Sequence, residues 1–351
     1  MSRNTYSDER KAGVLADVAA TGETHAQIAK RHDIPPGTVS RWVSEANADR
    51  VNLPPAVACL LLSDWHIGAL VESDDMRGMY CYDTNVCEDR INRLRSEAVA
   101  YLKAQAAFWN IKRLYLLWAG DIQDGIHAYR TQRYRLQLQT PRLQRNWAKP
   151  RVLDFVDLFA KAVDELVCMV CKGNHTDPGW SDAQPEDECY DTRLFYECAM
   201  ETRNLTNVAW EIHAYETPFQ ALPLRHSVYV EHGENVPWGG KASQPTPMTW
   251  QHCYNACMDE GRIHEVCCWG HRHTPAYLHG RPNILSNGCL TGYNEYARKG
   301  KLRPTLPAQW FFGLSENGLQ WVQNIVLGAW PETHPDERTG FLRGDMLEEA
   351  S

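Results

Sequence analysis

The stretch LVCMVCKGNH, residues 166–175, is an apolar run of strand length that ends in Gly173-Asn174-His175. Near-continuous apolar runs are typical of strands that are covered on both faces of a sheet. With this run, counted as 167–172, the clearest runs of the same kind lie at 58–63, 114–119, 228–231, 266–269 and 284–290. Helical patterns such as 88–107 and 152–165 lie between them, and 309–324 has the pattern of a hairpin turning at Asn317-Gly318. The sequence therefore predicts an α/β fold.

Several of these predicted strands end in a short polar cluster. A parallel or mixed sheet gathers such strand-end loops at one edge, so separate clusters can build a single site. One cluster alone would be weak evidence, because a short polar motif occurs by chance in a chain of this length. The five clusters are Asp64-Trp65-His66, Gly120-Asp121, Gly173-Asn174-His175, His232-Gly233 and Gly270-His271-Arg272-His273.

In this order the clusters resemble the signature of the calcineurin-like metallophosphoesterases, D-x-H, G-D, G-N-H, an isolated His and G-H-x-H. The resemblance covers roughly residues 57–300 and implies a two-sheet β-sandwich flanked by helices, with two divalent metal ions at the strand ends. It implies that Asp121 bridges the ions and that His175 acts in catalysis beside them. The remaining ligands implied are Asp64, His66 and His273 for one ion, and Asn174, His232 and His271 for the other.

The chemistry of these residues agrees with that assignment. Two cations held close together need an anionic bridge, which a carboxylate supplies. Imidazole and oxygen ligands without thiolates fit manganese, iron or zinc better than calcium. Manganese is our first choice, with iron, zinc and magnesium as the alternatives. Two positions depart from the family pattern. Thr176 follows His175 where a carboxylate is usual, with Asp177 next; Asp124 occupies a position where DNA-repair nucleases carry a second His, for which His127 is the candidate substitute.

The N-terminal region has a different pattern. Residues 7–20, 24–32 and 36–47 form three short helical patterns, whose apolar residues predict one shared core. This region resembles the helix-turn-helix of resolvases and transposases, which places Thr38, Ser40 and Arg41 outward on the recognition helix, toward DNA. A three-helix module that binds protein remains the alternative, because residues 1–48 hold as many acidic as basic side chains.

A basic stretch lies in a chain whose formal net charge is -8. No acidic residue occurs between Asp124 and Asp154, and the stretch follows the loop that carries Asp121. We expect it to guide a polyanion toward the metals, with Tyr129, Tyr134 and Trp147 available for unpaired bases; a solvated helix face or an oligomer contact is the alternative. Its proposed DNA-contacting residues are Arg130, Arg133, Arg135, Arg142 and Arg145.

The motif Asn287-Gly288-Cys289-Leu290, followed by GYNEYA at 292–297, resembles phage and prophage proteins described as DNA-repair exonuclease-like. With the helix-turn-helix, it favours a metal-dependent nuclease that hydrolyses DNA. The alternatives are a phosphomonoesterase or nucleotide phosphodiesterase with a DNA-binding appendage, and a DNA-binding regulator with an inactive metal site.

The pattern also predicts the domain organisation: a helix-turn-helix module at 1–48, a linker at 49–56, a catalytic domain at 57–328 and a polar tail at 329–351. The first twenty residues lack the pattern of a signal peptide, and no run of eighteen apolar residues occurs. We therefore expect a cytoplasmic protein without a membrane partner, in the host cytoplasm if it is phage-encoded. A homodimer is left open.

Overall fold

A computed structural model describes residues 6–21, 23–51, 53–78, 80–128, 132–176, 189–213, 216–239, 244–294, 298 and 305–329. The chain divides into two compact units. One comprises Met1–Pro55 with Ala104–Asn110, and the other comprises Ala56–Lys103 with Ile111–Ser351. The predicted tail, apart from its first residue, lies outside the described residues.

The first unit contains three helices, α1 (Asp8–Thr21), α2 (His25–Arg31) and α3 (Pro36–Val51). Thr24 caps α2, because its hydroxyl accepts the Gln27 backbone N–H while the Gln27 side chain accepts the Thr24 N–H. The three helices share one apolar core, as predicted. Its buried members are Val14, Ile28, Ala29, Ile34, Val39 and Trp42, with Val18 and Val43 packed against them.

The boundary after α3 differs from the prediction. The helix continues past Asn47 to Val51, and strand β1 begins at Pro55. Regular structure therefore occupies both ends of the predicted 49–56 linker.

Two mixed sheets form the second unit. The six-stranded sheet has the order β13-β12-β1-β2-β3-β4, in which β2, β3 and β4 run parallel and β12 is antiparallel to β1 and to β13. The five-stranded sheet has the order β10-β11-β9-β6-β5, with β6, β9 and β11 parallel. The strands are β1 (Pro55–Leu62), β2 (Asn110–Ala119), β3 (Glu165–Cys171), β4 (Val208–Ile212), β5 (Thr217–Gln220), β6 (Ser227–Glu231), β7 (Trp238–Gly239), β8 (Gln244–Pro245), β9 (Val266–Trp269), β10 (Ala276–Leu278), β11 (Asn283–Ser286), β12 (Ala308–Ser315) and β13 (Gly318–Val326).

The cores follow from the two-residue period of the strands. On β1, Val57 and Leu61 face a core shared with Val230 and Cys268 of the five-stranded sheet. The intervening Leu60 belongs to a second core with the helices α4 (Thr84–Gln105), α5 (Pro141–Ala160) and α6 (Tyr190–Glu201). Helix α7 (Pro247–Asp259) packs on the far side of the five-stranded sheet. The predicted two-sheet sandwich flanked by helices is confirmed, and all twelve cysteines are free and buried.

Helix α5 begins at Pro141, well before its predicted start at Val152. Thr140 caps it by accepting the Leu143 backbone N–H, 3.2 Å away, and proline is favoured at the first helical position, where its missing N–H costs nothing. Much of the basic stretch is thus helical. No helix in the described ranges is both long and apolar enough to cross a membrane.

Candidate metal centre

The polar clusters at the strand ends converge on one site. Asp64 and His66 follow β1, Asp121 follows β2, and Asn174 follows β3 in the six-stranded sheet. The five-stranded sheet contributes His232 after β6, and His271 and His273 after β9. Both sheets therefore supply side chains to the same centre. Three groups of side chains lie close enough to hold metal, and the middle one shares His66 with the first and Asp121 with the third. They are Asp64, His66 and His273; His66, Asp121 and His175; and Asp121, His232 and His271.

One half of the centre is formed by Asp64, His66 and His273. Their potential ligand atoms lie within 4.8 Å of one another. His273 Nε2 lies 2.9 Å from His66 Nε2 and 3.3 Å from Asp64 Oδ1. The three side chains thus point their donor atoms at a common point, which one cation could occupy.

The other half is formed by Asp121, His232 and His271 together with Asn174. The Asn174 amide oxygen lies 2.8 Å from His271 Nδ1 and 2.9 Å from His232 Nε2. Asp121 Oδ2 lies 3.1 Å from His232 Nε2. Because Asp121 also belongs to the group with His66 and His175, its carboxylate faces both halves of the centre.

The surroundings of the Asp121 carboxylate test whether these residues fit a metal pair. Oδ1 accepts the His175 backbone N–H at 2.9 Å, whereas the buried Oδ2 accepts no well-formed hydrogen bond in the described part of the chain, although His232 Nε2 lies 3.1 Å from it. Burial opposes ionisation, but the surrounding imidazoles, His232 foremost, hold the pKa of Asp121 well below its usual value. A buried anionic oxygen without a well-formed hydrogen bond is costly unless a cation meets it. The residues therefore fit a bridged pair of cations.

Contacts at Nδ1, on the side away from the centre, fix the orientation of the His66 and His232 rings. His66 Nδ1 lies 2.9 Å from Asp124 Oδ1, and His232 Nδ1 lies 2.8 Å from the Ala119 carbonyl oxygen. When Nδ1–H donates to such a partner, Nε2 is left as a lone-pair donor. A neutral ring with this arrangement presents Nε2 to the centre, which is the form that binds metal.

His175 lies beside the centre, with its ring 4.6 Å from that of His66. Its Nδ1 lies 3.2 Å from Asp124 Oδ1 and 3.2 Å from Gln132 Nε2. Burial alone would lower the pKa of His175, but the charge of Asp121 and the hydrogen bond with Asp124 raise it to about 9. The neighbouring carboxylates therefore favour the protonated form of the ring.

Asp124 thus contacts both His66 and His175, a role that the sequence pattern does not predict. In the sequence, Asp124 is only a departure from the nuclease pattern, with His127 as the candidate substitute. His127 is exposed, and Asp177 lies outside the described residues. The signal that could have identified Asp124 is its position in the same short loop as Asp121.

A second carboxylate holds the loop that carries Asp121. Asp191, at the start of α6, is fully buried and accepts the backbone N–H groups of Ile122 and Gln123, each at 3.0 Å. Burial and the nearby Asp121 raise the pKa of Asp191 to about 7. Asp191 thereby fixes the two residues directly after the proposed bridging ligand.

The backbone at the site is strained. In the described part of the chain, seven non-glycine residues have a left-handed φ, and five of these are proposed ligands. Such conformations are uncommon for residues with a Cβ, and they cluster at functional sites because the surrounding structure must hold them. The five are Asp64 (55°), His66 (48°), Asp121 (54°), His271 (64°) and His273 (53°).

Two glycines allow the close approach of the ligand loops. A Cβ at Gly173 would lie 2.0 Å from Asp121 Oδ1, and one at Gly270 would lie 2.3 Å from Asp64 Oδ2. Any side chain there would displace a carboxylate. This explains physically why Gly173 precedes Asn174 and why Gly270 precedes His271.

The comparisons with known proteins concern the two regions separately. Residues 1–64 match the protein family HTH_Tnp_1, described as "Transposase". The N-terminal segment is a transposase-like helix-turn-helix. No curated protein matches the chain.

Solved structures similar to the chain include two phosphoesterases. One is a conserved protein from Streptococcus pneumoniae described as a predicted phosphoesterase, with a TM-score of 0.30 and 9% identity, over 77% of this chain and 97% of that one. The other is a dimetal phosphatase from Danio rerio, with a TM-score of 0.40 and 11% identity, over 78% of this chain and 100% of that one.

In the helix-turn-helix, the proposed DNA-contacting residues lie together on α3. Ser40 and Arg41 are exposed and Thr38 is half-buried, whereas the intervening Val39 is buried. Arg41 Nε lies 3.7 Å from Glu45, in an exposed pair of the kind that contributes little to stability. The guanidinium can therefore reorient toward DNA at small cost.

Two of the five proposed DNA contacts in the basic stretch are engaged by carboxylates. Arg135 pairs with Asp75 at 3.0 Å, and Arg145 pairs with Glu197 at 3.2 Å. Arg133 and Arg142 are exposed. Arg130 lies outside the described residues. The stretch is therefore less positive in the folded protein than its sequence indicated.

Proposed function

We propose that the chain is a calcineurin-like phosphodiesterase that uses two divalent metal ions to hydrolyse DNA. The observation that carries the proposal is the buried Asp121 carboxylate, which faces both halves of a His/Asp centre and has one oxygen that accepts no well-formed hydrogen bond in the described part of the chain. The ordered strand-end motifs support the same reading. We assign the helix-turn-helix module to 1–48 and the catalytic domain to 57–328.

The proposed ligand sets follow the two halves of the centre. One ion would be held by Asp64, His66 and His273, and the other by Asn174, His232 and His271. Asp121 would bind both ions. When bound, a metal pair neutralises phosphate oxygens and lowers the pKa of a shared water. Manganese is the first choice for this donor set, and iron, zinc and magnesium are the alternatives.

His175 is the proposed proton donor to the leaving oxygen. Its ring lies beside the ligand groups, and Asp124 Oδ1 lies 3.2 Å from its Nδ1, so that Nε2 would carry the proton to the leaving oxygen. An acid positioned in this way contributes about 10²- to 10⁴-fold to a rate. DNA is the proposed substrate because the same chain carries a transposase-like helix-turn-helix.

A substrate panel tests this function. With manganese present, we expect hydrolysis of bis(p-nitrophenyl) phosphate and of at least one of single-stranded, double-stranded or branched DNA. Turnover of small phosphate esters with every DNA left intact would instead favour a phosphomonoesterase or nucleotide phosphodiesterase with a DNA-binding appendage. No turnover of any ester, with any of the four metals, would favour a DNA-binding regulator.

The helix-turn-helix role is tested by Arg41→Ala. If Arg41 contacts a base edge, its loss should weaken binding to a duplex selected by the wild-type chain by about 5- to 150-fold, the effect of one bidentate base contact. Fluorescence anisotropy measures the affinity. Arg262→Ala, which removes another partly exposed arginine, is the matched control. Unchanged affinity of the Arg41 variant would favour a module that binds protein.

A further inference from the structure

Tyr134 is the most exposed large apolar or aromatic side chain among the described residues, with 80% of its surface accessible. It lies on the short 3-10 helix Gln132–Arg135, between the exposed Arg133 and the half-buried Arg135. A single exposed aromatic residue is common on protein surfaces. This one lies two residues after Gln132, whose side chain contacts His175.

The short helix is anchored at both ends. At its start, the buried Gln132 side chain donates to the Asp124 carbonyl oxygen at 2.6 Å and accepts the Ala128 N–H at 2.7 Å. At its end, the Arg135 carbonyl oxygen accepts the Leu70 N–H at 2.9 Å. Consecutive Cα atoms are about 3.8 Å apart, so Tyr134 Cα lies within about 8 Å of Gln132 Cα. The backbone of Tyr134 is therefore held close to that of Gln132, whose side chain contacts His175.

A second buried glutamine anchors the start of α5 to the same loop. Gln144 Nε2 donates to the Gly125 carbonyl oxygen at 3.0 Å, and Gln144 Oε1 accepts the Gly125 N–H at 2.8 Å. Gly125 directly follows Asp124. Arg142, two residues before Gln144, is thereby held near the loop that orients His175.

The available charge is concentrated at these two anchored segments. Within the described ranges, Arg133 and Arg142 form no ion pair, whereas the other cations from 133 to 151 pair with carboxylates of other elements. These ion pairs are Arg135–Asp75, Arg145–Glu197, Lys149–Glu197, Lys149–Glu201 and Arg151–Glu88. Trp147 is also engaged, because the Arg151 guanidinium lies 3.8 Å from the centre of its ring.

We infer that Arg133, Tyr134 and Arg142 form a rim that binds single-stranded DNA beside the metal centre, with the Tyr134 ring stacked on an unpaired base. This inference rests on the proposed function and narrows its substrate. Guanidinium groups bind phosphate oxygens, and an exposed ring offers a face that any unpaired base can cover. Bases inside a duplex already stack on their neighbours, so they cannot use the ring.

The test compares Tyr134→Ala with Tyr134→Phe on three manganese-dependent substrates: an oligothymidylate, a duplex and bis(p-nitrophenyl) phosphate. Base stacking of this kind predicts that Tyr134→Ala raises KM for the oligothymidylate by about 5- to 150-fold, while Tyr134→Phe stays close to wild type. The duplex and the small diester should change little. Tyr196→Ala, which removes an exposed tyrosine from α6, is the matched control.

The arginines are tested by the salt dependence of oligothymidylate binding. Arg133→Ala and Arg142→Ala should each reduce the double-logarithmic slope by about 0.7, whereas Lys149→Ala, whose charge is engaged by Glu197 and Glu201, should leave it unchanged. An unaltered KM in Tyr134→Ala, or an equal loss on the small diester, would overturn the inference. If the wild type cleaves nothing, the proposed function fails, and oligothymidylate binding by the same variants still decides whether the rim exists.

Discussion

Asp121→Asn is expected to reduce hydrolysis of both DNA and bis(p-nitrophenyl) phosphate by about 10³-fold or more. The amide matches the carboxylate in size but is neutral, and its NH₂ group cannot bind a cation. Stabilisation by a metal pair amounts to several kcal/mol, and each 1.36 kcal/mol changes a rate tenfold. Initial rates over a range of manganese concentrations measure the loss, and elemental analysis measures the bound metal.

Asp154→Asn is the matched control, because Asp154 lies on α5 with 58% of its side chain exposed. It should keep its activity. Circular dichroism and thermal unfolding should show that both variants are folded. His232→Ala should lose activity in the same way, since it removes a ligand from one half of the centre. Activity and two bound metals surviving in both Asp121→Asn and His232→Ala would rule out the ligand assignment.

His175→Gln is expected to slow DNA hydrolysis by about 10²- to 10⁴-fold, the usual contribution of a positioned general acid. The loss on bis(p-nitrophenyl) phosphate should be much smaller, because p-nitrophenolate leaves without being protonated. Comparing the two rate losses therefore isolates the proton transfer from any effect on the metals. Single-turnover rates on both substrates provide the measurement.

The control for this prediction is His127→Gln, an exposed histidine in the loop that follows Asp124. It should behave as wild type on both substrates. An equal loss on both substrates in His175→Gln would contradict proton donation and would instead assign the ring to stabilising charge on the phosphate.

The strand ends explain why much of the centre could be predicted from the sequence. A buried strand is a local feature, and a polar residue directly after it must lie at a sheet edge, so Asp121 and Asn174 could be placed together from pattern alone. The helix-turn-helix core was predictable for the same reason, since the spacing of Val14, Ile28 and Trp42 is a local property of short helices.

The residues that support the ligands could not be predicted in this way. Asp191 reaches the loop after Asp121 from 69 positions away, as a hydrogen-bond acceptor for Ile122, and nothing near Asp191 in the sequence marks it as different from a surface carboxylate. The charge of the basic stretch was misleading for a related reason. The partners of Arg145 and Arg151, Glu197 and Glu88, are adjacent only in the folded chain.

The left-handed backbone at five proposed ligands implies a conflict between stability and activity. Each such residue costs on the order of 1–3 kcal/mol, a cost that glycine largely avoids. A laboratory selection for thermal stability alone should therefore accept glycine at Asp64, His66 or His271. The selected variants would unfold at a higher temperature but would lack one of the proposed metal ligands. Selection schemes for this chain need an activity screen at every round.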